Sequence, residues 1–281
     1  MLQDKRKTFK LAISCFYMNN ESDDQVFASD VARQLRLIHP EYNIEYAEGR
    51  SILVNGRRLD LENLYRMIRH EPERGDEITE SYLSNLFSEN GLQILNMSFD
   101  FARPRIMPRV QPDSIFQHLT RDMVAHTPYV NNTVIVYVTD FPRMTVSLTT
   151  EHLVRWRLSI DEVDDIAGDN LANYAPDLEV QFIESKDGGR AAILGKHDGY
   201  DAARLRMSGL YEILSPELGR DFYVATPARD IFVALSREPE PFVKRIKDRV
   251  EKDFERLPYP ITKDFFYFTR DGVAGTIDDS V

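Results

Sequence analysis

Residues 222–235 read F-Y-V-A-T-P-A-R-D-I-F-V-A-L. Two apolar runs, 222–225 and 231–235, are joined by Thr226-Pro227-Ala228-Arg229-Asp230, a link too short for a helical crossover between parallel strands. Proline presets φ for the second position of a turn, so the stretch predicts a β-hairpin or a tight corner. The pattern recurs upstream, where 180–184 and 190–194 flank Lys186-Asp187-Gly188-Gly189, and 133–139 and 144–148 flank Asp140-Phe141-Pro142-Arg143. Short corners between nearly every strand pair predict an α+β fold with mostly antiparallel sheets packed against amphipathic helices.

Between the last two hairpins lies H-D-G-Y-D-A-A-R-L, 197–205. Gly195 to Gly199 reads as a loop, and residues 200–214 show helical apolar spacing through Leu205, Leu210 and Leu214. Asp198 and Asp201 then suit a helix cap, with a side-chain oxygen accepting from a free N–H and a carboxylate at the positive helix end. A strand-loop-helix junction carrying Lys196, His197 and Gly199 can instead hold an anion on its exposed N–H groups, although no glycine fingerprint accompanies it. Arg229 and Asp230, at the corner of the 222–235 hairpin, read as solvated turn charges or a local ion pair, or as functional groups on a rigid scaffold.

D-G-Y-D-A and F-Y-V-A-T-P-A-R-D, preceded by Arg105-Ile106-Met107-Pro108-Arg109, resemble the bacterial YtpQ-like family, known as domain of unknown function 1444. The resemblance runs from about Ala28 onward in the order of elements and is sharp in those three stretches. Asp198, Gly199, Tyr200, Asp201, Pro227, Arg229 and Asp230 match the motif and His197 does not. It implies a family without a settled activity, so it lends no residue a catalytic role.

Working back to the start, a helix is expected from Asp23 or Asp24 to His39, with Val26, Phe27, Val31, Leu35 and Ile38 on one face. A small antiparallel meander should follow at 43–59, turning at Asn55-Gly56 because both residues tolerate positive φ. Two amphipathic helices are expected at 60–69 and 76–89. These elements make an N-terminal subdomain, 1–97. The proline- and arginine-rich stretch 98–112 reads as a connector or an edge strand, with Arg103, Arg105 and Arg109 the local exception to an acidic chain and an anion-binding edge as its other reading. The main domain is then 113–270, with helices capped at Thr149 or Thr150 and at Ser159, Trp156 in the core, a helix at 239–254 and a strand at 265–269. Residues 271–281 should be a frayed tail.

The chain has 281 residues, 42% of them hydrophobic, enough for a buried core. Forty-six acidic against 35 basic residues give a formal charge of −11, which repels a phosphate backbone, so no nucleic-acid partner is expected. The lone Cys15 sits in an apolar run, 11–17, allowing no intramolecular disulfide and fitting a reducing cytoplasm. Lys5-Arg6-Lys7 before that run imitates a secretory signal, but no small-residue cleavage pattern follows. No stretch approaches the length of a membrane span.

There is no phosphate-binding glycine loop, H-E-x-x-H pair, G-x-S-x-G elbow or kinase signature, and the six histidines are scattered. Asp161, Glu162, Asp164 and Asp165 fall in a helical first turn, where acids favour the dipole, so neither metal nor cofactor is expected. Two readings of function remain. The first is a non-catalytic interaction or regulatory protein whose acidic surface meets a protein partner. The second is an enzyme or small anionic-ligand binder using Asp198, Tyr200, Asp201, Arg204, Arg229 and Asp230, with carboxylates as general base and arginines fixing an anionic group.

Overall fold

A computed structural model describes residues 21–86, 97–117, 119–141, 144–174 and 176–276. The expectations for Cys15 and its apolar run, and for the last residues of the tail, lie outside that range. The fold is α+β with antiparallel sheets, and the chain divides into two compact units, Met1–Ser88 and Glu89–Val281. Among the described residues no helix is long and apolar enough to cross a membrane.

In the first unit, α1 (Glu21–Ile38) precedes an antiparallel meander of β1 (Ile44–Ala47), β2 (Ser51–Val54) and β3 (Arg57–Asp60), then α2 (Glu62–His70) and α3 (Gly75–Leu86). Asn55 and Gly56 take φ of 50° and 78°, the left-handed pair that a two-residue hairpin requires. The buried face of α1 is Phe27, Ala28, Val31, Ala32 and Leu35, whereas Val26 and Ile38, expected on it, are exposed. Arg50 holds the unit's polar centre. It donates from Nε to Asp24 at 2.8 Å and from Nη1 to Glu62 at 2.5 Å, and its guanidinium stacks 3.7 Å from the Tyr65 ring centroid.

The second unit begins with α4 (Phe99–Ala102) and a 3₁₀ turn, Arg103–Arg105, leading into β4 (Ile106–Pro112). The stretch expected as a connector is therefore part of the second unit, with Met97, Ala102, Ile106 and Val110 in its core. Its prolines are tolerated because β4 pairs on one side only, with β6 (Thr133–Phe141), so half its N–H groups owe nothing to a ladder. β5 (His126–Tyr129) and β7 (Met144–Ser147) share the other edge of β6. Two capped helices follow, α5 (Thr150–Trp156) and α6 (Ile160–Tyr174). Thr149 and His152 form a capping box, and Ser159 and Glu162 exchange equivalent bonds.

The six-stranded sheet has the order β13-β12-β10-β11-β9-β8. Its strands are β8 (Gln181–Glu184), β9 (Arg190–Leu194), β10 (Phe222–Ala225), β11 (Phe232–Ser236), β12 (Phe266–Thr269) and β13 (Gly272–Ala274). The helix expected over 200–214 is instead a 3₁₀ turn, Ala202–Arg206, and a separate α7 (Leu210–Leu218). Gly209 at φ 79° breaks the path, since a left-handed residue cannot continue a right-handed helix. The tail expected to fray contributes β13, and Thr276 donates from its N–H to Asn131 Oδ1 at 2.8 Å.

One face of this sheet packs into the core shared with the four-stranded sheet, and the other is covered by α8 (Glu240–Arg256). α8 grips the tip of the β8–β9 hairpin. A Cβ on Gly189 would fall 2.2 Å from the Phe242 ring, and Arg245 donates to Asp187 at 2.8 Å and to Ser185 at 2.9 Å.

Candidate functional site

Register explains why the two suspicious segments meet. Leu194, the last residue of β9, pairs with Phe232, the first of β11, so the 195–201 loop and the 226–230 corner leave the sheet at the same end. They are then bonded, Ala202 N–H donating to the Arg229 carbonyl at 3.0 Å. The returning segment clasps the corner from outside, with Arg229 N–H on the Tyr259 carbonyl at 3.0 Å and Ile261 N–H on the Pro227 carbonyl at 2.9 Å. A second anchor fixes the 3₁₀ turn, because Arg206 pairs with both oxygens of Asp164 on α6, which also accepts from Tyr137 on β6 at 2.7 Å.

Asp198 and Asp201 do not cap a helix, because no regular helix starts there. They grip Arg204, which is buried. Arg204 Nη1 donates to Asp201 Oδ1 at 2.6 Å and to Asp198 Oδ1 at 3.1 Å, and Nη2 donates to Asp198 Oδ2 at 2.5 Å. The loop closes on the same carboxylates. Lys196 and His197 donate backbone N–H groups to Asp201 at 3.1 and 2.8 Å, and Tyr200 N–H donates to Asp198 at 3.0 Å. Reaching that geometry requires positive φ at His197 (52°) and Gly199 (87°).

Burial works to raise the Asp198 carboxyl, but the bonds from Arg204 and Tyr200 N–H prevail and hold it below the ordinary aspartate range. At Asp201 burial prevails over its backbone donors and the charge of Arg204, and the group is raised. Arg229 donates from Nε and Nη2 to Asp230 Oδ2 at 3.1 and 2.9 Å, and its guanidinium lies 3.9 Å from the Tyr259 ring centroid. The corner pair is thus a local ion pair, half-buried.

The six candidate residues come together, and the structure adds two the sequence reading left out of the site. Alternation along β4 and β6 puts Met107 and Arg109, with Val138 and Asp140, on the face opposite the main core, where Met107 and Val138 pack on the Tyr200 ring with Leu171 and Ala203. Arg109 stands 5.3 Å from the Tyr200 ring centroid. Its presence in an otherwise acidic chain was the one signal available. Asp140 was hidden in what reads as an ordinary strand corner. Burial raises the Asp140 carboxyl, with the Asp198 charge adding to the rise and Tyr200 and Arg109 opposing it.

Gly199 is the centre of this group. A Cβ there would sit 3.6 Å from Arg109 Nη2 and 3.8 Å from Arg229 Nε, so two guanidinium groups from different sheets reach one point. Around it several polar atoms are buried without a hydrogen-bond partner, Arg109 Nε, Arg204 Nε and Asp230 Oδ1, with Thr226 Oγ1 at the base of the corner, while the Tyr200 hydroxyl faces Asp140 and Arg109. Burial pushes the Tyr200 phenol well above the ordinary tyrosine range, so it stays protonated and able to donate at neutral pH.

On the far side of the 226–230 corner a cleft of about 310 Å³ lies under α8, with Pro227, Ile231, Val233, Phe242 and Ile246 in its walls. None of the six candidate residues lines it. Its arginines are occupied, Arg245 by Asp187 and Arg249 by Asp253. Comparison of the chain with protein-family models, with characterised proteins and with solved structures found no match.

Proposed function

We propose that the protein binds a small anion-bearing ligand above Gly199, between Arg109 and Arg229. The observation that carries this is Arg109. Buried guanidinium groups ordinarily come with a carboxylate, because an uncompensated charge taken from water is costly. Arg109 makes no ion pair among the described residues, and its Nε is buried without a partner. A bound carboxylate or phosphate supplies the close, planar acceptor that Asp140, which acts on Arg109 only at longer range, does not. Arg229 adds donors, and Gly199 places no side chain between the two guanidinium groups.

The interaction-module reading asks that capping and packing account for the whole 196–201 loop, and the unpartnered atoms around it are what that reading leaves over. The motif positions of the YtpQ-like resemblance, Asp198 to Asp201 with Arg229 and Asp230, are also the positions that build this group. The test is isothermal calorimetry against a monocarboxylate, a dicarboxylate, a phosphate monoester and sulfate. Saturable binding of at least one, lost in Arg109→Gln, is the expected result. No binding of any of them at millimolar concentration overturns the reading.

A further inference from the structure

We propose that the cleft under α8 binds a free aliphatic carboxylate of medium chain length, with the chain between helix and sheet and the carboxylate at Arg249. The site lies apart from Gly199 and does not depend on the anion-binding reading above. Its walls come from two regular elements. Alternation puts Ile183 of β8, Ile193 of β9 and Val233 of β11 on the sheet face that α8 covers, and α8 meets them with Phe242, Ile246 and Val250, four residues apart along one stripe. Helix and sheet do not close on each other there. They leave about 310 Å³ between side chains that are mostly hydrocarbon, a volume at the low end for small-molecule pockets. At roughly 30 Å³ for each water-sized group, that is room for on the order of ten heavy atoms.

The polar groups of the cleft form a second stripe of α8, Arg245, Arg249 and Asp253, beside the apolar one. The carboxylates at this border are spent. Both oxygens of Asp187 accept from Arg245, and Asp253 accepts from Arg249 at 2.7 Å and from Arg256 at 3.3 Å. The arginines keep donors in hand. Arg249 gives Asp253 its Nε alone, and among the described residues its two Nη groups have no partner. Arg245, Arg249 and Arg256 thus stand against Asp187 and Asp253, which leaves one positive charge in surplus beside an apolar floor. An amine adds to that surplus and a neutral head leaves it, whereas a carboxylate cancels it and accepts from both Nη groups in the planar pairing a guanidinium favours.

The test is calorimetry on the full chain with hexanoate, octanoate, decanoate and tetradecanoate, and with 1-octanol and octylammonium as controls for the head, all below the concentrations at which they form micelles. One octanoate should bind per chain, several-fold tighter than 1-octanol, with octylammonium weakest. Affinity should rise about fourfold for each methylene buried and level off between octanoate and decanoate, where the cleft is full. Arg249→Gln should bring octanoate down to the affinity of 1-octanol, and Ile246→Phe, which fills the cleft, should remove both. Circular dichroism establishes that each variant is folded, and Ile231→Phe takes the place of Ile246→Phe if the latter is not. Affinity that keeps climbing to tetradecanoate and ignores the filled cleft is adsorption to the surface and overturns the proposal. Octylammonium binding as tightly as octanoate also overturns it. So does the absence of binding by any probe at millimolar concentration, and a chain that then sediments as a dimer assigns the cleft to a second copy.

Discussion

Arg50 in the first unit and Arg109 in the second are alike in residue type, in partial burial and in sitting against a tyrosine ring, and opposite in what surrounds them. Arg50 has Asp24 and Glu62 in direct contact and lies flat on Tyr65. Arg109 has its Nε buried without an acceptor, and the nearby carboxylates are committed elsewhere or stand off. A saturated arginine is a structural tie, whose worth is the bonds it makes. An unsaturated one in a comparable setting costs the fold stability, and the cost is recovered only when something else arrives.

That contrast can be broken or sharpened by substitution, followed by urea unfolding. The largest effect belongs to Arg204, which holds two carboxylates although its Nε, like that of Arg109, has no partner. Arg204→Ala leaves Asp198 and Asp201 buried without their cation and should cost roughly 3–5 kcal/mol, the range for breaking a buried pair from one side. A loss under about 1 kcal/mol would mean that water reaches those carboxylates and that the group is open. Arg50→Ala should cost less, about 2 kcal/mol, because its partners keep some contact with solvent. Arg109→Met should change stability by under about 0.5 kcal/mol in either direction, since no ion pair is lost and an unsatisfied Nε is removed. If Arg109→Met instead matched Arg50→Ala, the distinction between tie and binding group would fail.

The sequence showed the hairpins because turn chemistry is local. Asn55-Gly56, Lys186 to Gly189 and the Pro227 corner each carry their geometry in adjacent residues, and the strands around them pair as expected. β5 went unread because Pro128 sits within it, whereas the proline-rich stretch holding β4 was left between a connector and an edge strand, and the edge strand is the reading that one-sided pairing bears out. The 200–214 helix failed at Gly209, whose positive φ outweighs apolar spacing that does continue on either side. As for the site, the loop and corner could be suspected from their clustered charges. Their roles could not, since Asp198 and Asp201 look the same whether they cap a helix or grip Arg204. Arg109 reaches Gly199, and Asp140 reaches Tyr200, from another sheet, a meeting set by how the sheets stack and by no local pattern.

The seat of Phe242 over Gly189 bears on how the sheet holds its outermost strand. β8 ends the six-stranded sheet with all four residues exposed, Phe182 and Ile183 among them, the kind of border to which a stray strand can zip. Its hairpin tip is clamped by the Phe242 ring and by Arg245 on Asp187 and Ser185. α8 therefore opposes the peeling of β8 from β9 at the tip and leaves its outer edge open.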